Sequence, residues 1–154
     1  MNMSLYGCGG KWLMVDCGLT FADDTLPGID LLFPDPTFIE ERRKDLVGLV
    51  LTHAHEDHLG AVAHLWPRLN CPIHATPFAM YLLKRKLSEA GLLDRVPLHE
   101  IEVGGKVQVG DFGIQYIQVT HSIPEAHSLA IEPSFGTVVH SGDWKLDPGP
   151  MVGP

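Results

Sequence analysis

Apolar residues along the chain occur in short runs separated by turn residues, the pattern of strands interleaved with a few helices. The run at 46–51 is apolar on both faces, which predicts a central strand that is covered on both sides. Shorter apolar runs at 12–15 and 72–75 predict two further strands. The first half of the chain therefore alternates between buried strands and the segments that connect them.

Helical signals lie between these strands. The expected helices cover 37–44, 57–66 and 77–90. The first follows Asp35-Pro36, a cap residue followed by proline. The second is expected to stop at Pro67, because proline lacks the N–H that a helix interior needs. The third carries one apolar stripe and ends before Gly91.

The second half of the chain changes to strands and tight turns. Strands are expected at 98–103, 106–109, 112–119, 128–132 and 137–139. We interpret the first three as antiparallel hairpins closed by glycine, which adopts positive φ at low cost. Strands with helices between them early, and hairpins later, predict a layered α/β or α+β architecture. No repeat or linker interrupts it, so we expect one domain over 1–154.

Composition places the chain among ordinary globular proteins. It has 154 residues, of which 45% are hydrophobic and 19% charged, enough for one compact core. No apolar run is long enough to cross a membrane, and residues 1–10 lack the pattern of a secretory signal. The 3 cysteines have no metal-finger spacing and fit reduced thiols. We therefore expect a cytoplasmic protein without a membrane partner.

Charge at first argues against a nucleic-acid partner. With 19 acidic and 11 basic residues, the formal net charge of −8 should repel a polyanion unless bound cations reverse the local field. The 9 histidines could collect such cations. Lys84, Arg85 and Lys86 form the main basic cluster, which is more often a solvated helix face than an RNA contact.

The densest candidate chemistry directly follows the central strand. His53 and His55 are two positions apart, so in an extended segment they project to the same side. Asp57 and His58 follow where the chain begins to coil and can face the same cavity. Imidazoles suit zinc or a similar metal, and the carboxylate suits a second, harder one. Glu56 is expected to point away.

A dinuclear site needs further ligands, and other strand ends supply them. His121, Asp143 and Asp16 each follow a predicted strand. Strand ends in a layered sheet protein gather along one edge, so these residues could converge on the histidine motif. We expect Asp143 to bridge two metals and Asp16 to orient a ligand from behind. The other histidines, His64, His74, His99, His127 and His140, are expected to be structural.

The segment from His53 to Gly60 resembles the HxHxDH signature of the metallo-β-lactamase fold. Further segments resemble the ribonuclease J group of that fold in order and spacing, and they lie at 15–21, 28–30, 34–35, 51–53, 121–125 and 140–145. The resemblance runs from about Asn2 to Pro154. It implies an αββα sandwich and a bacterial enzyme that cuts RNA from a 5′ end and internally, using two zinc ions.

The resemblance also implies a role for each ligand. His53, His55 and His121 match ligands of one metal, and Asp57 and His58 match ligands of the other. Asp143 matches the bridging carboxylate, and we take Asp57 and Asp143 as the catalytic carboxylates. Asp16 matches the carboxylate of the first motif. Zinc is the first choice of metal, with manganese or magnesium as alternatives, and RNA-contacting residues are not identified.

The chain departs from this group at both ends. Family members begin with a glycine-rich segment before the position of Asn2, and they continue past Pro154 into a β-CASP domain and a further ligand histidine. We therefore expect an N-terminal portion of the sandwich, with one ligand of the second metal missing. By the same resemblance, the full-length protein is expected to form a homo-oligomer.

The expected reaction is phosphodiester hydrolysis by a water bound between two metals, whose four positive charges offset the acidic chain locally. Two alternatives stay open from the residues alone. One is a small-molecule hydrolase of the same fold, acting on a thioester, lactone or β-lactam. The other is a metal-binding fragment without turnover.

Overall fold

A computed structural model describes residues 1–150, which form two large facing sheets, a small two-stranded sheet and four helices. The strands are β1 (Ser4–Cys8), β2 (Lys11–Val15), β3 (Thr20–Phe21), β4 (Leu31–Leu32), β5 (Leu46–Val50), β6 (Ile73–Ala75), β7 (Leu98–Glu100), β8 (Lys106–Val109), β9 (Phe112–Gln118), β10 (His127–Glu132) and β11 (Val138–His140). The helices are α1 (Thr37–Glu40), α2 (Glu56–Leu59), α3 (Val62–Leu69) and α4 (Pro77–Glu89). No helix in this part of the chain has the length and apolar character needed to cross a bilayer.

The first sheet has the strand order β1-β2-β5-β6-β7. Strands β2, β5, β6 and β7 are parallel, and β1 pairs antiparallel with β2. The predicted central strand β5 thus lies in the middle of this sheet. Helices α3 and α4 connect its parallel strands and pack on one face, where Leu65, Leu69, Leu83 and Leu87 are buried. The apolar stripes of these helices explain this packing.

The second sheet is antiparallel, with the order β11-β10-β9-β8. It packs on the other face of the first sheet. Buried residues of both sheets meet there, including Leu13 and Val50 of the first sheet and Phe112, Tyr116 and Leu129 of the second. The α/β class is confirmed, and residues 1–150 form three layers in the order helix, sheet, sheet. Within residues 1–150, no helix covers the outer face of the second sheet.

The helix boundaries differ from those predicted. Instead of one helix at 37–44, only Thr37–Glu40 is helical, because the following bonds, such as Asp45 N–H to Arg42 O, close turns of three residues. The helix expected at 57–66 is divided into α2 and α3. Pro67 does not end α3. It lies inside, and the buried side chains of Trp66 and Leu69 keep the last turn packed.

The predicted hairpin arrangement is wrong for β7. This strand pairs parallel with β6, with Leu98 opposite Ile73, and so belongs to the first sheet. The alternating pattern identified a strand but carried no information about its partner. The hairpin of β8 and β9 is confirmed. Strand β1 was not predicted, although Gly9 and Gly10, with φ of 57° and 79°, form the turn that joins it to β2.

Candidate metal centre

The histidine motif forms the connection between β5 and α2. The chain leaves the buried strand in extended form, and His55 still has extended backbone angles (φ −66°, ψ 151°) directly before the helix begins at Glu56. His53 and His55 therefore extend from the strand end, whereas Asp57 and His58 lie on the first turn of α2. This change of backbone conformation lets four side chains of one short segment surround a common space.

Three imidazoles converge at one side of this space. Nε2 of His53 lies 3.0 Å from Nδ1 of His55, and Nε2 of His121 lies 3.1 Å from the same atom. His121 comes from the loop after β9, in the second sheet. The distances are close to the separation of about 3.3 Å expected between nitrogen ligands of a tetrahedral zinc with Zn–N bonds near 2.0–2.1 Å. Side chains from both sheets thus form a candidate metal position.

A second group shares His53 with the first. It consists of His53, His58 and Asp143, whose ligand atoms lie within 4.8 Å of one another. Oδ2 of Asp143 lies 3.3 Å from Nε2 of His58 and 3.8 Å from Nε2 of His121. Asp143, in the loop after β11, therefore lies between the two groups, the place that a bridging carboxylate needs.

The surroundings of His53 and His121 favour neutral imidazoles. Burial and the neighbouring rings of His58 and His55 lower the pKa of His53 to about 2. Burial and His55 also lower the pKa of His121. A neutral imidazole keeps the lone pair that coordination requires, so these side chains hold the form that binds a metal near pH 7. With imidazole and carboxylate donors at ligand spacing, the residues fit divalent metals, zinc above all.

Asp16 lies behind the cluster, as its position in the sequence suggested. Its buried carboxylate accepts hydrogen bonds from the Thr52 backbone N–H (2.8 Å) and hydroxyl (2.9 Å), and lies 2.8 Å from Nδ1 of His58. Burial alone would lower the pKa of His58, but the hydrogen bond and charge of Asp16 outweigh it and the pKa is raised. Because Nδ1 of His58 donates to Asp16, its Nε2 faces the cluster.

Asp57 belongs to neither three-residue group. Its half-exposed carboxylate lies 3.4 Å from Nε2 of His58. Sequence reasoning missed the residue that holds it: the side-chain amide of Asn2 donates to Oδ2 of Asp57 at 3.0 Å. It also missed Thr52, which contacts both Asp16 and Nδ1 of His53. The position of Thr52 beside the motif was a usable signal, whereas nothing in the sequence pointed to Asn2.

Gly18 makes room for this half of the cluster. A Cβ atom at position 18 would lie 1.7 Å from the backbone oxygen of Asp57. The Gly18 N–H in turn donates to the backbone oxygen of Asn2. The segment after β2 therefore packs directly against the backbone of the histidine motif.

The remaining histidines and the basic cluster lie outside these groups. His140 contacts the Tyr6 hydroxyl, His74 stacks on His99, His64 packs on Phe33, and His127 accepts from the Gly104 N–H. In the basic cluster, Lys86 pairs with Glu56 at 2.7 Å, and Lys84 lies 3.9 Å from Glu100. Glu56 does point away from the metal groups, as expected. Two of the three basic side chains are thus paired with acids.

Two facing sheets with a histidine and aspartate cluster at their strand ends define a class of metal-binding fold, and the sequence agrees with that class. Residues 11–153 match the family model of the β-lactamase superfamily domain. The chain belongs to this superfamily. A solved structure, the metallo-β-lactamase fold protein YhfI from Bacillus subtilis, matches with a TM-score of 0.64 over 90% of this chain and 52% of that one, at 18% identity. This likeness supports the fold.

The resemblance to the ribonuclease J group is confirmed. The chain is 45% identical over 158 residues to ribonuclease J of Sinorhizobium meliloti, covering 100% of this chain and 28% of that protein. It is 41% identical over 154 residues to ribonuclease J of Synechocystis, covering 99% of this chain and 24% of that protein. The matched region is the N-terminal part of these relatives. The chain thus spans about a quarter of their length.

Proposed function

We propose that the protein is a metal-dependent phosphodiester hydrolase that acts on RNA. The observation that carries the proposal is the pair of ligand groups that share His53, one with His55 and His121 and the other with His58 and Asp143. One imidazole nitrogen binds one metal, so His53 counts with His55 and His121. His58 and Asp143 remain beside them for a second metal, the arrangement used for in-line displacement at phosphorus. The similarity to ribonucleases J supports RNA as the substrate.

When bound, two divalent metals supply a water of lowered pKa and positive charge for the phosphate oxygens. The side chains of the protein position and tune this chemistry. Asp16 fixes the tautomer of His58, and Thr52 orients both Asp16 and the ring of His53. Asp143 is placed to bridge the two groups. We assign the half-exposed carboxylate of Asp57, 3.4 Å from Nε2 of His58, as a further ligand of the metal that His58 holds.

Bound metals would also offset part of the negative charge of the chain. Two divalent ions add four positive charges at the cluster, about half of the formal −8 and concentrated where a phosphate binds. We propose zinc for both positions, with manganese or magnesium as alternatives. Cytoplasmic location, action both at 5′ ends and internally, and a homo-oligomeric full-length protein belong to the same proposal. Lys84 and Lys86 form ion pairs with acidic side chains, and these pairs do not support an RNA contact by the basic cluster.

The test is RNA cleavage by the chain and by a chimera in which the chain replaces the matching N-terminal part of the Sinorhizobium meliloti relative. RNA with a 5′ monophosphate and an internal label is incubated with zinc or manganese. We expect the chimera to release nucleotides from the 5′ end and to cut internally, and the variants His55→Ala and Asp143→Asn to lose this activity. His99→Ala is the matched control, because His99 lies outside both ligand groups.

Two results would contradict the proposal. Hydrolysis of a thioester, lactone or β-lactam without RNA cleavage would favour a small-molecule hydrolase. A chimera that binds metal but turns over neither substrate class would favour a metal-binding segment. Both results leave the metal-binding property of the cluster unaffected, so the function and the metal site are tested separately.

A further inference from the structure

Asn2 contacts the half of the cluster that contains Asp57 and His58. Its side-chain amide nitrogen lies 3.0 Å from Oδ2 of Asp57, 3.0 Å from the backbone oxygen of Asp57 and 3.0 Å from Nε2 of His58. Both side chains are candidate metal ligands. The Asn2 amide thus lies within hydrogen-bond distance of both side chains.

The backbone of Asn2 is anchored independently of its side chain. Its N–H donates to the backbone oxygen of Asp57 at 2.8 Å, and its own oxygen accepts from the Gly18 N–H at 2.8 Å. These two bonds tie the start of the chain to the segment after β2 and to the first turn of α2. A change of the side chain alone thus leaves the path of the backbone in place.

The two hydrogens of the amide are matched by two oxygens of Asp57. One N–H can donate to the backbone oxygen and the other to Oδ2, each at 3.0 Å. Nε2 of His58 lies 3.0 Å from the same nitrogen and 3.4 Å from Oδ2 of Asp57. Two ligand atoms of a tetrahedral zinc, each about 2.1 Å from the metal, are separated by a similar distance of about 3.4 Å.

We propose that Asn2 is a positioning residue that holds the carboxylate of Asp57 at ligand distance from His58. Without the amide, this carboxylate, 45% exposed, is free to turn into solvent. An oxygen that accepts the amide hydrogen bond keeps a second lone pair for a metal, so the bond can persist when a metal is bound. The amide opposes this rotation and so reduces the ordering cost of metal binding. The inference rests on the metal centre of the proposed function, not on its RNA substrate.

The test compares the 154-residue chain with its Asn2→Ala variant by titration with Zn²⁺ and Co²⁺, without RNA. We expect the affinity for one metal equivalent to fall about tenfold, the lower end of the effect of residues that orient metal ligands. The equivalent bound by His53, His55 and His121 should change less than about twofold. Gln108→Ala is the matched control, because it removes a side-chain amide on β8 that donates to the Gly110 oxygen, outside both ligand groups.

A second readout is independent of metal. In the metal-free chain, the side-chain carboxyl ¹³C resonance of Asp57 should move in Asn2→Ala, whereas that of Asp45, bonded to Lys11, should not. An unchanged Asp57 resonance, or unchanged affinity for every metal equivalent that the wild-type chain binds, would overturn the proposal. Tighter metal binding by Asn2→Ala, or by the isosteric Asn2→Asp, would also overturn it, because position 2 would then obstruct or ligate the metal. RNA cleavage enters none of these measurements, so failure of the proposed function is distinguishable.

Discussion

Single residues in this site act through close backbone approaches and through unusual backbone angles. Gly18 allows the chain after β2 to touch the backbone of the histidine motif, and Asp16 has a φ of 61°, in the left-handed region. A non-glycine residue in this region costs about 1 kcal/mol or more, and it persists where other contacts compensate. At Asp16 these contacts are the hydrogen bonds to Thr52 and His58.

The Gly18→Ala variant should lose stability and metal binding together. The added methyl carbon would lie 1.7 Å from the Asp57 oxygen, so the backbone of the motif must shift. We expect the free energy of unfolding to fall by about 1–3 kcal/mol, as for other overpacked sites. Urea titration and metal analysis measure the two effects. Gly149→Ala is the control, because a Cβ at position 149 meets no atom within 4 Å, and a Gly18→Ala variant as stable as this control would refute the packing argument.

Asp16→Asn should weaken metal binding without removing the fold. An amide at this position keeps one acceptor oxygen, but its NH₂ group faces either the Thr52 backbone N–H, which is a donor, or Nδ1 of His58. The orientation and tautomer of His58 are then no longer fixed, and we expect metal affinity to fall about 10–100-fold. Calorimetric titration with zinc measures it. Asp23→Asn, in an exposed turn with Thr25, should bind zinc as the wild type does.

At the scale of elements, the loop that carries His121 is attached to α4. The side chain of Glu125 accepts a hydrogen bond from the Phe78 N–H at 2.9 Å, although the residue at the N-cap, Thr76, makes no such bond from its own side chain. Glu125 also has a positive φ of 57°. A carboxylate from a distant loop thus satisfies one of the free N–H groups of the first turn.

Glu125→Ala should therefore destabilise the chain through α4. Loss of a cap costs about 1 kcal/mol, and we expect a decrease of that size in the free energy of unfolding. Glu125→Gln keeps an acceptor oxygen and should lose less than half as much. Thermal or urea unfolding of both variants, with the exposed Glu132→Ala as control, tests the assignment. Equal losses in the Ala and Gln variants would contradict a hydrogen-bonding role.

Features that neighbouring residues determine could be predicted from the sequence, whereas features that depend on partners far away in the chain could not. The motif from His53 to His58 and the strand ends at His121 and Asp143 were identified because each lies directly after an apolar run. Strand β7 was placed in the wrong sheet, because alternation of side chains gives no information about the neighbouring strand. Asn2 was missed, because its partners are 55 and 56 residues away and its own surroundings have no distinctive pattern.

For the whole molecule, buried neutral histidines make stability depend on pH. Burial and the neighbouring His99 lower the pKa of His74 from 6.5 to about 4, and Nδ1 of His74 has no hydrogen-bond partner in residues 1–150. As the pH falls below 6.5, the unfolded chain takes up a proton at this residue and the folded chain does not. The free energy of unfolding therefore decreases between pH 6.5 and about 4.

His74→Leu should reduce this acid sensitivity. We expect the loss of stability between pH 6.5 and 4 to be smaller than in the wild type by about 2 kcal/mol, allowing for some solvent screening of the ring. Urea unfolding at several pH values, with EDTA present to exclude metal effects, measures the difference. In His64→Leu, at an exposed position, the free energy of unfolding should depend on pH as in the wild type. The same dependence in His74→Leu would show that His74 does not cause the acid sensitivity.

The ligand groups join the two sheets of the molecule. His53 and His58 follow a strand of the first sheet, whereas His121 and Asp143 follow strands of the second. A metal bound by both sets crosslinks the sheets, and at a free concentration of 1,000 times its dissociation constant it adds about 4 kcal/mol to the stability of the folded state. Metal starvation should therefore shorten the lifetime of the protein in a cell, since chains that open more often are degraded faster by proteases.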